Sequence, residues 1–169
     1  MANDSKQRIL IDTNVLIFSL LPEKLKVDVE SSKEQYAYFQ SRNAKEFLLK
    51  CQQNLREVCV SSISLSEIMK CMTDDDAREV FSRITHCFTI LPFDVNASFQ
   101  AGRLAFSLHQ LDTQKSSEKT KIRNDIYILA TGLQHNCTDF YTTDNVLIKQ
   151  TIRLSIPMKV HVLPVFEEE

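Results

Sequence analysis

The chain has 169 residues, enough for one domain with a sizeable core, and its 43% hydrophobic and 25% charged content is ordinary for a soluble globular protein. Its two glycines, Gly102 and Gly132, exclude a Walker loop and a dinucleotide-binding fingerprint and disfavour turn-rich all-β folds. A net charge of −2 gives no global basic field, so a nucleic-acid partner has to be drawn by a local patch or by bound metal.

In chain order, RILI at 8–11 reads as a buried strand. The following NVLIFSLL reads as a short helix, with Asp12 or Thr13 as its cap. Pro22 marks a break, and the charged, aperiodic stretch 23–33 reads as a loop. Tyr36, Phe39, Phe47, Leu48 and Cys51 give 34–53 a helical period. Val58, Cys59 and Val60 form a second strand. Ile63, Leu65, Ile68 and Met69 open a helix in which Ser64 is read as the N-cap and Glu67 as its capping-box partner. A helix follows over Asp74–Thr85, with Val80, Phe81 and Ile84 on its apolar face, and then a strand over Phe88–Leu91, ended by Pro92.

Asp94 is placed to cap a helix running to about His109, with Ala97, Ala101, Leu104, Ala105 and Leu108 inward. Residues 112–121 are polar and read as a mobile loop. Ile122–His135 is an apolar helix, Phe140–Thr142 a strand, Val146–Leu154 a helix and Val160–Leu163 a last, edge strand. Strands alternating with helices predict an α/β fold with a largely parallel sheet. No internal repeat and no second domain is visible, so residues 1–169 are read as a single domain.

The five cysteines are odd in number and show no C-x-x-C pair, which argues for a reducing, cytoplasmic setting and for small buried hydrophobes in place of a disulfide or zinc framework. The four histidines lack zinc spacing and are expected at surface or boundary positions. No apolar stretch is long enough to span a membrane, and the polar start MANDSKQR lacks the apolar core of a signal peptide.

Four acids stand at segment edges: Asp12, Glu67, Asp125 and Asp144. Each has an ordinary explanation. Asp12 and Asp144 are potential helix caps, Glu67 a partner for Ser64, and Asp125 a favourable charge near a helix start. Together they point elsewhere, because a parallel sheet gathers the ends of its strands into one crevice. Carboxylates collected there repel, and the natural counter-charge is a hard divalent cation, Mg²⁺ or Mn²⁺. That chemistry is phosphodiester hydrolysis. Lys115, Lys119, Lys121 and Arg123 form a basic stretch before Asp125, read either as a phosphate-holding patch or as a solvated loop. Tyr36, Tyr38 and Phe39 are read either as a base-stacking platform or, as their helical spacing favours, as core or interface packing.

The segments ILIDTNVLI, SISLSEI, LPFD, NDIYILATGL and FYTTDN, in this order, resemble the PIN-domain family, in its VapC-like bacterial branch. The resemblance covers about residues 8–163. It implies a three-layer α/β/α fold around a mainly parallel sheet of four or five strands. It also implies a Mg²⁺- or Mn²⁺-dependent endoribonuclease acting on RNA, a toxin paired with an antitoxin, and a homodimer. Carried over by position, Asp12, Glu67, Asp125 and Asp144 match the acidic quartet, while Asn14 and Thr142 match accessory polar positions. Residues 22–45 exceed the compact pattern and read as an insertion or extended helix. The competing expectation is a catalytically weak PIN-like RNA-binding or regulatory module. A receiver-like phospho-acceptor ranks below both, because D-T-N replaces adjacent acids and Lys159 precedes its strand.

Overall fold

The computed structural model describes residues 7–21, 31–70, 72–111 and 119–166, the side chains of 111 and 119–123 aside. The loops expected over 23–33 and 112–121 therefore fall mostly outside the described residues. Five strands are seen: β1 (Arg8–Ile11), β2 (Glu57–Ser61), β3 (Thr89–Leu91), β4 (Asp139–Thr142) and β5 (Lys159–Val162). They form one sheet in the order β3-β2-β1-β4-β5, and every pairing is parallel. The chain steps outward from β1 through β2 to β3, then returns to the other side of β1 for β4 and β5. The order thus reverses between β1 and β4. In such sheets the crevice opens at the carboxyl ends of the strands flanking that reversal.

Helices cover both faces, as a parallel sheet requires. The first three are α1 (Thr13–Leu20), α2 (Ser32–Gln53) and α3 (Ser62–Met69), followed by α4 (Asp74–Cys87). Ile9, Ile11 and Val60 face these four, packing with Val15, Leu16, Ala44, Phe47, Leu65, Ile68 and Ile84. The alternate residues Leu10, Cys59 and Phe140 face the other layer. That layer holds α5 (Val95–Leu111), α6 (Lys119–Gln134) and α7 (Asn145–Leu154). The α/β/α arrangement implied by the resemblance is the one observed. Among the described residues, no helix is long and apolar enough to cross a membrane.

Several boundaries move. The α3 helix is capped by Ser61, whose hydroxyl accepts from the Ile63 N–H, and not by Ser64. Ser64 lies inside the helix, fully buried, and its hydroxyl has no hydrogen-bond partner. The Ser64–Glu67 capping box is therefore absent. A real capping box, Ser31 with Glu34, starts α2 two residues before the apolar period does. The α6 helix also begins early, at Lys119, which puts Asp125 in its second turn rather than at its start.

Burial departs from expectation at single positions. Cys51, Cys59 and Cys137 are buried, but Cys87 is exposed at the end of α4. Ala105 points outward on α5. Phe47 is core, its ring 4.4 Å from Tyr141, whereas Tyr36 and Phe39 are largely exposed.

The amino-terminal edge of the sheet is tied down by polar side chains. Asp139 accepts from Gln7 Nε2 at 2.6 Å, Thr138 Oγ1 at 2.6 Å and His161 Nε2 at 2.7 Å. Burial alone raises a carboxyl's pKa, but these donors outweigh it and hold Asp139 below the ordinary range. Arg8 forks onto both oxygens of Glu57 and donates to the His135 carbonyl.

Candidate metal-binding active site

Asp12 is the residue that ends β1 and caps α1. Its Oδ1 accepts the Thr13 N–H at 2.7 Å, and its own N–H extends the β1–β4 ladder to the Tyr141 carbonyl at 2.9 Å. Thr142, the last residue of β4, donates its hydroxyl to Asp12 Oδ2 at 2.7 Å. The same Thr142 oxygen accepts the Asp144 N–H at 3.0 Å. Asp144 then caps α7 through the Val146 and Leu147 N–H groups. Asp12 and Asp144 therefore do serve as caps. Because β1 and β4 flank the reversal of strand order, the two caps also bring their carboxylates to the crevice mouth.

Glu67 reaches this point from α3. Its Oε2 accepts the Thr13 hydroxyl at 2.5 Å, and its Oε1 accepts from Asn124 Nδ2 of α6 at 2.7 Å. Thr13 thus serves two acids at once, giving its N–H to Asp12 and its O–H to Glu67. The three contacts draw on both helical layers.

Asp12 is 4% exposed, so its charge is costly. Burial pushes its carboxyl above the ordinary carboxylate range; the Thr142 and Thr13 donors oppose this, and the charges of Glu67 and Asp144 push it further up. The mutual repulsion places Asp12, Glu67 and Asp144 in one electrostatic neighbourhood.

Asp125 is half-buried and follows Asn124 on α6. Helical geometry aligns it with Ile128, Leu129 and Gly132, the stripe that α6 turns to the sheet. Gly132 permits that close approach, since a Cβ there would meet Leu10 Cδ2 at 2.6 Å. Asp125 stands near the amino end of α6, which lies at the same edge as Asp12 because α6 leads down to the start of β4. Asn14 is exposed, and the hydrogen bonds onto the Asp12 carboxylate come from Thr13 and Thr142. Lys119, Lys121 and Arg123 lie on α6 with side chains outside the described residues, as does the whole of Lys115.

An all-oxygen donor set with surplus negative charge fits a hard divalent cation. Each oxygen of Asp12 and Glu67 accepts one hydrogen bond and keeps a second lone pair. Among the described residues, however, no three His, Cys, Asp or Glu stand close enough to grip a metal ion as they are. Asp144 is turned to its helix, where its Oδ1 accepts from the Val146 and Leu147 N–H groups.

From the sequence, Thr13 has only a capping role and Asn124 has none. The adjacent N-D pair was the available signal for Asn124, but its partner is 57 residues away.

No family model and no curated protein matches the sequence. Solved structures do. The chain is similar to VapBC2 from Rickettsia felis, seen bound to a DNA fragment from their promoter, at 15% identity and TM-score 0.61, covering 94% of this chain and 100% of that one. It is also similar to VapBC-1 from nontypeable Haemophilus influenzae, at 15% identity and TM-score 0.61, over 93% and 98% of the two chains. DNA-bound VapBC from Salmonella typhimurium gives 15% identity and TM-score 0.59, over 94% and 99%. At this identity the likeness establishes the fold: a PIN-like α/β/α domain of the kind found in VapBC structures.

Proposed function

We propose that the chain is a divalent-metal-dependent endoribonuclease, a VapC-like toxin held in check by an antitoxin protein. The observation that carries this reading is the linkage of Asp12, Glu67 and Asp144 through Thr13 and Thr142 at the crevice where the strand order reverses. A bound Mg²⁺ or Mn²⁺ would supply a more acidic water, in-line orientation and charge for the leaving oxygen. Asp12 and Asp125 are assigned as its direct holders. Glu67 and Asp144 act through water or complete a second site. Thr142 fixes the Asp12 carboxylate, and Lys119, Lys121 and Arg123 are assigned, on their charge alone, to the RNA phosphates.

The fold shared with VapBC chains supports the antitoxin partner. The exposed Phe39 and Tyr36 on α2 support an apolar contact in a homodimer; Phe47, being core, takes no part in it. Purified protein incubated with RNA should cleave it in Mg²⁺ or Mn²⁺ and stop in EDTA. Cleavage that survives chelation would overturn the mechanism. Light scattering at micromolar concentration should give twice the 19.5 kDa chain mass.

That no three His, Cys, Asp or Glu among the described residues are grouped to hold a metal ion favours a second reading: an RNA-binding or regulatory module with weak catalysis. Tight RNA binding without cleavage in any metal would select it.

A further inference from the structure

We propose that Thr13 and Asn124 are positioning residues that set how tightly the site holds its divalent cation, by clamping both oxygens of Glu67. This rests on the reading of the acids as a cation site. Glu67 belongs to α3, a helix of eight residues, and a glutamate side chain has three rotatable bonds before its carboxylate. Left to itself, such a carboxylate samples many positions. Here one donor arrives from each side: the Thr13 hydroxyl at 2.5 Å on Oε2, and Asn124 Nδ2 at 2.7 Å on Oε1. Both are charge-assisted hydrogen bonds, the stronger kind. They leave one lone pair on each oxygen for a cation or its water.

The two donors are themselves fixed. Thr13 is buried at the first turn of α1, its N–H committed to Asp12. Asn124 belongs to α6, whose next two turns are seated on the sheet by Ile128, Leu129 and the Thr131 hydroxyl, which accepts from Ser61 at 3.1 Å. The clamp therefore fixes α3's acid relative to Asp12 on one side and to Asp125, the neighbour of Asn124, on the other. Hydrogen-bond partners of metal-holding carboxylates typically govern affinity by about 10–100-fold.

The test uses Mn²⁺ itself as the probe, with free Mn²⁺ followed by electron paramagnetic resonance during titration of the full chain. Thr13→Val removes the hydroxyl, keeps the shape and keeps the backbone N–H on Asp12. Thr13→Ser keeps the hydroxyl. Asn124→Ala removes the other donor. Thr13→Val and Asn124→Ala should each weaken Mn²⁺ binding about tenfold, while Thr13→Ser binds within about threefold of wild type, as expected when the donor itself is kept. In RNA cleavage, Thr13→Val and Asn124→Ala should need correspondingly more metal, and most of the lost rate should return at saturating Mn²⁺. Melting in EDTA checks that each variant is folded. If both variants bind Mn²⁺ as wild type does, the clamp is overturned while the cation site stands. If Thr13→Ser is as weak as Thr13→Val, the hydroxyl is not the agent and the proposal fails. If wild type binds no Mn²⁺, the cation site itself is wrong and the clamp falls with it.

Discussion

Replacing Asp12 with asparagine should stabilise the metal-free protein and remove its response to metal. An asparagine keeps the cap, since its oxygen still accepts the Thr13 N–H, and asparagine caps helices about as well as aspartate. Its amide faces Thr142 Oγ1, which has lone pairs to accept it. What disappears is a buried charge beside Glu67 and Asp144. Because burial and those neighbours raise the folded-state pKa of Asp12 above its ordinary 3.8, the folded chain binds this proton more tightly than the unfolded one. Its contribution is favourable below pH 3.8 and is lost as pH rises through the folded value. At pH 7 in EDTA, Asp12→Asn should therefore melt above wild type, and the gap should close towards pH 4. Metal reverses the ranking. A cation at one hundred times its Kd stabilises wild type by about 2.7 kcal/mol, which for a chain of this size is roughly 5–11 °C in Tm. A variant that binds a hundredfold more weakly gains only about 0.4 kcal/mol, or roughly 1–2 °C. Four scans decide the matter, each protein with EDTA and with Mg²⁺. A variant that melts lower in EDTA and gains as much from Mg²⁺ as wild type would refute the idea that these acids form one cation site.

Three further outcomes follow from other residues. Asp125→Asn should abolish RNA cleavage with an unchanged circular dichroism spectrum, and wild-type rates would remove it from the site. Gly132→Ala and Gly102→Ala should differ in sign: the first drives a Cβ to 2.6 Å from the buried Leu10, at a cost of about 1–3 kcal/mol less a helix-propensity gain of up to about 1. The second meets nothing within 4 Å and should gain up to about 1 kcal/mol in urea unfolding. Asp139→Asn should flatten the acid limb of the stability curve: its lowered pKa gives stability that is present above about pH 3.8 and lost as pH falls further, so the difference from wild type should shrink in melts below that pH.

The strands were legible because short β-branched runs ended at Asp, Pro or a polar turn, and each of the five is found within two residues of its expected bounds. The start of α3 was not. The run VSSISLSE offers four serines before Glu67, and helical period alone cannot choose among them. The sheet chooses: Ser61 is still paired with Leu91 on β3, so the helix begins directly after it. Exposure at Cys87, Tyr36 and Phe39 likewise depends on which neighbours the topology supplies. At the site, Asp12 and Asp144 were visible as strand-end acids. The grip on Glu67 was not, because it joins residues 54 and 57 positions apart with no local trace.

The sheet is fastened at one end. Gln7, Arg8, Thr138 and His161 lock the amino-terminal edge onto Asp139 and Glu57, while the opposite edge carries the mutually repelling acids. Electrostatic pressure therefore acts on the free ends of the strands, far from the fastening. Amide hydrogens record such a gradient. The Asp12 N–H on Tyr141 and the Leu163 N–H on Thr142 guard the loaded edge, and the Glu57 N–H on Gln7 and the Thr138 N–H on Arg8 guard the fastened one. The first pair is expected to exchange by local fraying and the second only when the whole sheet lets go, which amide hydrogen exchange would read directly. The proposed cation would then enter and leave at a rim whose opening leaves the foundation shut.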